Sequence, residues 1–114
     1  MHDSTKDEID AAITAAAAAL DHPILRRAAR AGKGSLRRET PVLLKLDDGS
    51  LAEGVLDLAF READAGFDGW TVVEFKTDRE FSTAPGHYLE QVRLYAQAVA
   101  AATQLPARGI ILVV

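Results

Sequence analysis

No cysteine occurs among the 114 residues, which removes disulfide scaffolds, thiolate metal sites and cysteine nucleophiles together. No apolar run approaches the roughly 18 residues of a membrane-spanning helix. The alanine-rich stretch near the start has no basic segment before it, so no signal peptide is expected either. Hydrophobic residues make up 48% of the chain, but 21 of them are alanine. The larger apolar side chains therefore suffice for one modest core, and the chain reads as a single soluble, cytoplasmic domain.

Charge is present but segregated. The formal net charge is −4. Residues 23–45 hold seven Lys/Arg against one Glu, whereas residues 46–80 hold ten Asp/Glu against three Lys/Arg. The basic block (Arg26, Arg27, Arg30, Lys33, Arg37, Arg38) fits two readings. One is a solvated surface with no partner; the other is a phosphate-binding edge beside a cation-binding centre.

Residues 4–20 are expected to form a helix, since Thr5 and Glu8 have capping-box spacing and alanine is a strong helix former. A second, short helix is expected over 23–31, with Pro23 in its first turn and Asp21 or His22 as cap. Strands follow at 38–46 and 51–60 around the hairpin turn Asp47-Asp48-Gly49-Ser50. A polar loop with Gly66 and Gly69 leads to a strand at 70–77. A long helix over 84–103 and a strand at 110–114 complete the order α–α–β–β–β–α–β. Pro41 marks an edge strand, and Gly54 a bulge or a close backbone approach. The fold class is α/β, of mixed α+β type, and a last strand that runs to the chain end suggests a piece of something longer.

The chemistry concentrates on the middle strands. Glu74 and Lys76 interrupt an apolar strand with period two, and Asp57 is a lone acid in Val-Leu-Asp-Leu-Ala-Phe. Burying an acid is costly unless it is paired or bound to a cation. Two explanations fit: an ion pair of Lys76 with Glu74 or Asp57, or a hard-cation site in which Asp57 and Glu74 ligate Mg²⁺ or Mn²⁺ beside Lys76.

Gly54-Val55-Leu56-Asp57, Val73-Glu74-Phe75-Lys76-Thr77 and Gln91-Val92-Arg93-Leu94-Tyr95 resemble, in order, three motifs of RecB-like PD-(D/E)XK nucleases: G-x-x-D, acid-x-K and Q-x-x-x-Y. Arg38-Glu39-Thr40-Pro41 and Lys76-Thr77-Asp78 look most like the C-terminal nuclease domain of AddA-type helicase–nucleases of the UvrD-like superfamily. The resemblance covers residues 22–114. It implies a restriction-endonuclease-like core with order α-β-β-β-α-β, and a Mg²⁺- or Mn²⁺-dependent, exodeoxyribonuclease-type domain acting in DNA repair and recombination. Its partners would be DNA, as single strands or duplex ends, and helicase motor domains or a motor subunit.

Carried over by position, the resemblance makes Asp57 and Glu74 metal ligands, with the main-chain carbonyl of Phe75 completing the shell. Lys76 becomes the catalytic lysine, and Gln91 and Tyr95 a helix face at the active site. Tyr95 packing on the sheet and Gln91 capping a loop is the structural alternative for that pair. Glu39 is either a support for the site or an edge-strand surface acid. The family's upstream helix histidine, in G-x-x-x-H, has no counterpart here. His22 is a ligand or a cap, and His87 is expected on the surface. The departure implies an incomplete metal site, as for a domain cut from a larger helicase–nuclease. It keeps open a different class of function, a non-catalytic DNA clamp or protein-docking module.

Overall fold

The computed structural model describes the backbone of residues 12–15, together with residues 22–64 and 66–114. Its elements are β1 (Ala12–Ala15), α1 (Pro23–Arg30), a 3-10 turn (Lys33–Ser35), β2 (Leu36–Lys45), β3 (Leu51–Asp64), β4 (Phe67–Lys76), α2 (Asp78–Thr83), α3 (Pro85–Thr103) and β5 (Ala107–Val113). They form one mixed sheet of order β1-β5-β4-β3-β2, with helices on both faces. β2, β3 and β4 are an antiparallel meander; β5 runs parallel to β4 and to β1. No helix among the described residues is long and apolar enough to cross a membrane.

Two apolar layers hold the helices to the sheet. Val92, Tyr95, Ala96 and Val99 of α3 pack on Leu56, Ala59, Trp70, Val72 and Ile111. On the opposite face Ile24 and Ala28 of α1 pack on Leu58, Phe60, Val73, Ile110 and Leu112. The parallel strands β4 and β5 are buried on both faces, which explains why they read as nearly continuous apolar runs. β2 is an outer strand, as Pro41 requires.

Three local expectations need correction. Within the expected 4–20 helix, Ala12–Ala15 is a strand, paired in parallel with Ile110–Val113; residues 4–11 and 16–20 lie outside the described residues. A fully buried β5 needs a partner along its free edge, and that ladder outweighs helix propensities of a few tenths of a kcal/mol per residue. β3 and β4 also extend beyond the expected 51–60 and 70–77, to Asp64 and back to Phe67. They close a tight hairpin at Gly66, whose φ of 88° suits glycine. Finally, the loop before the long helix contains α2, started by a capping box in which Thr77 and Glu80 bond each other's backbone amides.

Arg27 leaves the basic block to serve this architecture. It forms a two-pronged hydrogen-bonded pair with Glu62 at 2.9 and 3.1 Å, and Arg108 and Thr71 also donate to the same carboxylate. α1 is thereby tied to β3, β4 and β5. Burial alone would raise the Glu62 carboxyl, but hydrogen bonds from Arg27, Thr71 and Arg108 outweigh it and hold the group down to about 2. A lowered folded-state value adds stability that is complete above the unfolded value near 4.5 and is lost as pH falls toward 2. Glu62→Gln is expected to cost about 2 kcal/mol at pH 7 and to flatten the acid limb below pH 4.5, as read by urea denaturation across pH.

Candidate functional site

In an uninterrupted strand, residues two apart share a face. Leu58 and Phe60 of β3 belong to the α1-side layer, yet Leu56 belongs to the α3-side layer. β2 changes face in step: Leu36 packs on the α1 side, Val42 and Leu44 on the α3 side. The β2–β3 ladder passes from Arg38↔Leu58 to Thr40↔Leu56, skipping Glu39 and Asp57. Glu39 takes the left-handed conformation, with φ of 44°. The pleat of both strands therefore inverts at the Glu39/Asp57 position.

At the same level β4 leaves β3. Their ladder ends at Leu58↔Val73, while β4 continues to Lys76 alongside β5 alone. Backbone amides freed in this way need other acceptors, and the candidate residues supply them. The Asp57 amide donates to Glu74 Oε2 at 2.8 Å, and the Phe75 amide donates to Asp57 Oδ2 at 2.9 Å. The Val55 amide lies beside the Tyr95 hydroxyl, close enough to act on its proton. Each carboxylate has one oxygen tied to a backbone amide; the other accepts no hydrogen bond among the described residues, and no buried side-chain polar atom is left without a partner.

The electrostatics follow from this crowding. Glu74 is only 4% exposed, and its carboxyl is pushed up to about 7. Desolvation is the main cause and the Asp57 charge adds to it, against the Asp57 amide and the Lys76 ammonium. Tyr95 is also raised, by burial first and then by the Glu74 and Asp57 charges. Lys76 forms no ion pair with Asp57 or Glu74 among the described residues, so the ion-pair explanation of this cluster fails. Its ammonium lies 4.6 Å from the centre of the Tyr88 ring instead.

Asp57, Glu74 and Tyr95 are thus brought together, with Lys76 near enough for its charge to act on Glu74. Gln91 is half-buried on α3, one turn before Tyr95, and its side chain makes no hydrogen bond among the described residues. The Phe75 side chain packs toward the α1 side. Glu39, Arg38, Asp57 and Phe75 line a cleft of about 680 Å³ beside α1. A larger groove of about 880 Å³, between β2 and α3, contains none of the two carboxylates, Lys76 or Gln91. His22 caps α1, its Nδ1 accepting from the Ile24 amide at 3.1 Å, and His87 is exposed. Tyr88 was missed in the sequence, although it falls three residues before Gln91 and seven before Tyr95, on one helix face.

Among the described residues no group of three or more His, Asp or Glu side chains could hold a metal ion. What is present is two adjacent carboxylates, each with an oxygen free of protein hydrogen bonds. That donor set suits a hard cation that keeps much of its own water. It also relieves the repulsion and burial that otherwise favour a protonated Glu74. No family model, curated protein or solved structure matches the chain.

A carboxyl raised on folding opposes stability once ionised. With divalent cations chelated, stability is expected to fall as pH rises from about 4.5 through 7, by an amount of order 2 kcal/mol. Glu74→Gln should remove that slope and leave the protein more stable than the parent at pH 8, measured by urea denaturation in the presence of chelator.

Proposed function

We propose that this chain is a Mg²⁺- or Mn²⁺-dependent deoxyribonuclease domain on a restriction-endonuclease-like core, of the RecB-like kind, served by helicase motor domains. The observation that carries the proposal is the Asp57–Glu74 pair: two carboxylates held by backbone amides where β3 and β4 part, with a lysine beside them. Structural acids on a sheet are expected to find a basic partner, as Glu62 does. These two have none within ion-pair distance among the described residues.

In this reading Asp57 and Glu74 hold the cation, and the Phe75 carbonyl completes the protein ligands. The chemistry the cation supplies when bound is Lewis-acid activation of water and of the phosphoryl oxygen. Lys76, steadied on the Tyr88 face, stabilises the negative charge that grows on the phosphoryl group during attack. Gln91 offers an uncommitted amide to the phosphate or to water. Arg26, Arg30, Lys33, Arg37 and Arg38 are exposed along α1, the 3-10 turn and β2, and Arg38 shares the cleft wall with Asp57. They would engage neighbouring phosphates without regard to sequence, so binding weakens as salt rises.

The test is degradation of end-labelled linear single- and double-stranded DNA with Mn²⁺. The parent is expected to cut, while Asp57→Ala and Lys76→Ala lose at least about 100-fold in rate. Arg30→Glu with Arg38→Glu should raise KM about tenfold and lower the salt dependence of binding by about two phosphate contacts. No cleavage, with Mn²⁺ still bound through Asp57, moves the reading to a non-catalytic DNA clamp on the same fold. Cleavage unchanged by Asp57→Ala contradicts the site.

A further inference from the structure

Gly54 and Tyr95 lie 41 positions apart in sequence and meet face to face. A Cβ added at Gly54 would stand 2.6 Å from Tyr95 Cε1 and 3.0 Å from its hydroxyl oxygen, closer than packed side chains come. The Tyr95 ring is 6% exposed and set among Val92, Ala96 and Val99 on α3, so it has little room to retreat. Its hydroxyl is set beside the Val55 amide, past the point where the β3–β4 ladder ends. One aromatic side chain thus replaces the missing strand at the two residues where β3 approaches its pleat inversion.

We infer that Tyr95 is a positioning residue: its ring, seated on Gly54, with its hydroxyl beside the Val55 amide, holds β3 in the inverted pleat that delivers the Asp57 carboxylate to Glu74. The inference rests on the reading of that carboxylate pair as a cation site, and it assigns Tyr95 no contact with DNA. Gly54 is the other half of the lock, because no larger residue leaves the ring its seat. Gly54 and Asp57 lie on one element and Tyr95 on another, so the glycine–acid and glutamine–tyrosine motifs are coupled by steric fit. Gln91, four residues earlier on α3, takes no part in this coupling.

The experiment uses the full chain and four variants: Tyr95→Phe, Tyr95→Leu, Gly54→Ala, and Gly54→Ala combined with Tyr95→Leu. Mn²⁺ affinity is read by calorimetry, Val55 amide exchange by NMR, and DNA cleavage by KM and kcat separately. Tyr95→Phe keeps the ring and the fold. It is expected to accelerate Val55 exchange and to weaken Mn²⁺ binding about tenfold, with KM for DNA unchanged. Gly54→Ala should weaken Mn²⁺ further in the parent, but add little when Tyr95→Leu has already removed the ring.

Unchanged Mn²⁺ affinity and Val55 protection in Tyr95→Phe overturn the inference. So does a rise in KM with Mn²⁺ affinity intact, which would make Tyr95 a substrate contact. An equal Gly54→Ala penalty with and without Tyr95→Leu shows that the two residues are not interlocked. A parent that binds no Mn²⁺ defeats the cation reading by itself. The lock is then decided by Val55 exchange and by whether the melting-temperature penalty of Gly54→Ala disappears in the Tyr95→Leu background.

Discussion

Backbone amides that lose their strand partner inside a protein must be given another acceptor, and beyond Leu58 and Val73 this sheet meets that constraint with the carboxylates of the candidate site. Asp57 and Glu74 each take an amide from the opposite strand's territory, and the Tyr95 hydroxyl lies beside the amide of Val55. The same bonds that close the gap between β3 and β4 therefore fix the carboxylates in place. Fold and site are one arrangement here: the strands can part because the acids are present, and the acids are oriented because the strands part. The pleat inversion at Glu39 and Asp57 is the backbone change that makes this possible.

Two glutamates on this sheet show how environment separates a paired acid from an unpaired one. Glu62 is a partly buried carboxylate with Arg27, Arg108 and Thr71 around it, and its carboxyl is held down to about 2. Glu74 is more deeply buried, the Asp57 charge acts on it more strongly than the Lys76 charge, and its carboxyl is pushed up to about 7. The first ties α1 to three strands. The second is left in a state that a cation would relieve, and groups displaced in this way concentrate at functional sites. Lys76 offsets this only in part; its ammonium lies 4.6 Å from the centre of the Tyr88 ring and forms no ion pair with either acid among the described residues.

Much of the fold was legible because its signals are local. Asp47-Asp48-Gly49-Ser50 announces the hairpin, Pro41 the outer strand, Pro23 the start of α1, and apolar spacing the α3 helix. Asp57 and Glu74 stood out as lone acids in apolar strands, and Gly54 as a place of close approach. What escaped depends on distant partners. β1 exists through a ladder with β5, a hundred residues away, against the helix propensity of its alanines. The inversion at Asp57 leaves no trace in the sequence, since Leu56 and Leu58 look like ordinary neighbours on one face. The lysine's choice of Tyr88 over the carboxylates, and the recruitment of Arg27 to Glu62, are likewise decided in three dimensions. α2 is different: Thr77 and Glu80 carried its capping box in plain view.

As proposed, Asp57 and Glu74 form one cation site at the end of the β3–β4 ladder. Paramagnetic broadening of backbone amide resonances by substoichiometric Mn²⁺ tests it most directly, with Asp57→Asn as control. A cation held by this pair gives broadening centred on residues 55–57 and 74–76 and abolished in the control. Broadening centred instead on the exposed acids of the 47–50 turn, or left intact by Asp57→Asn, would contradict it.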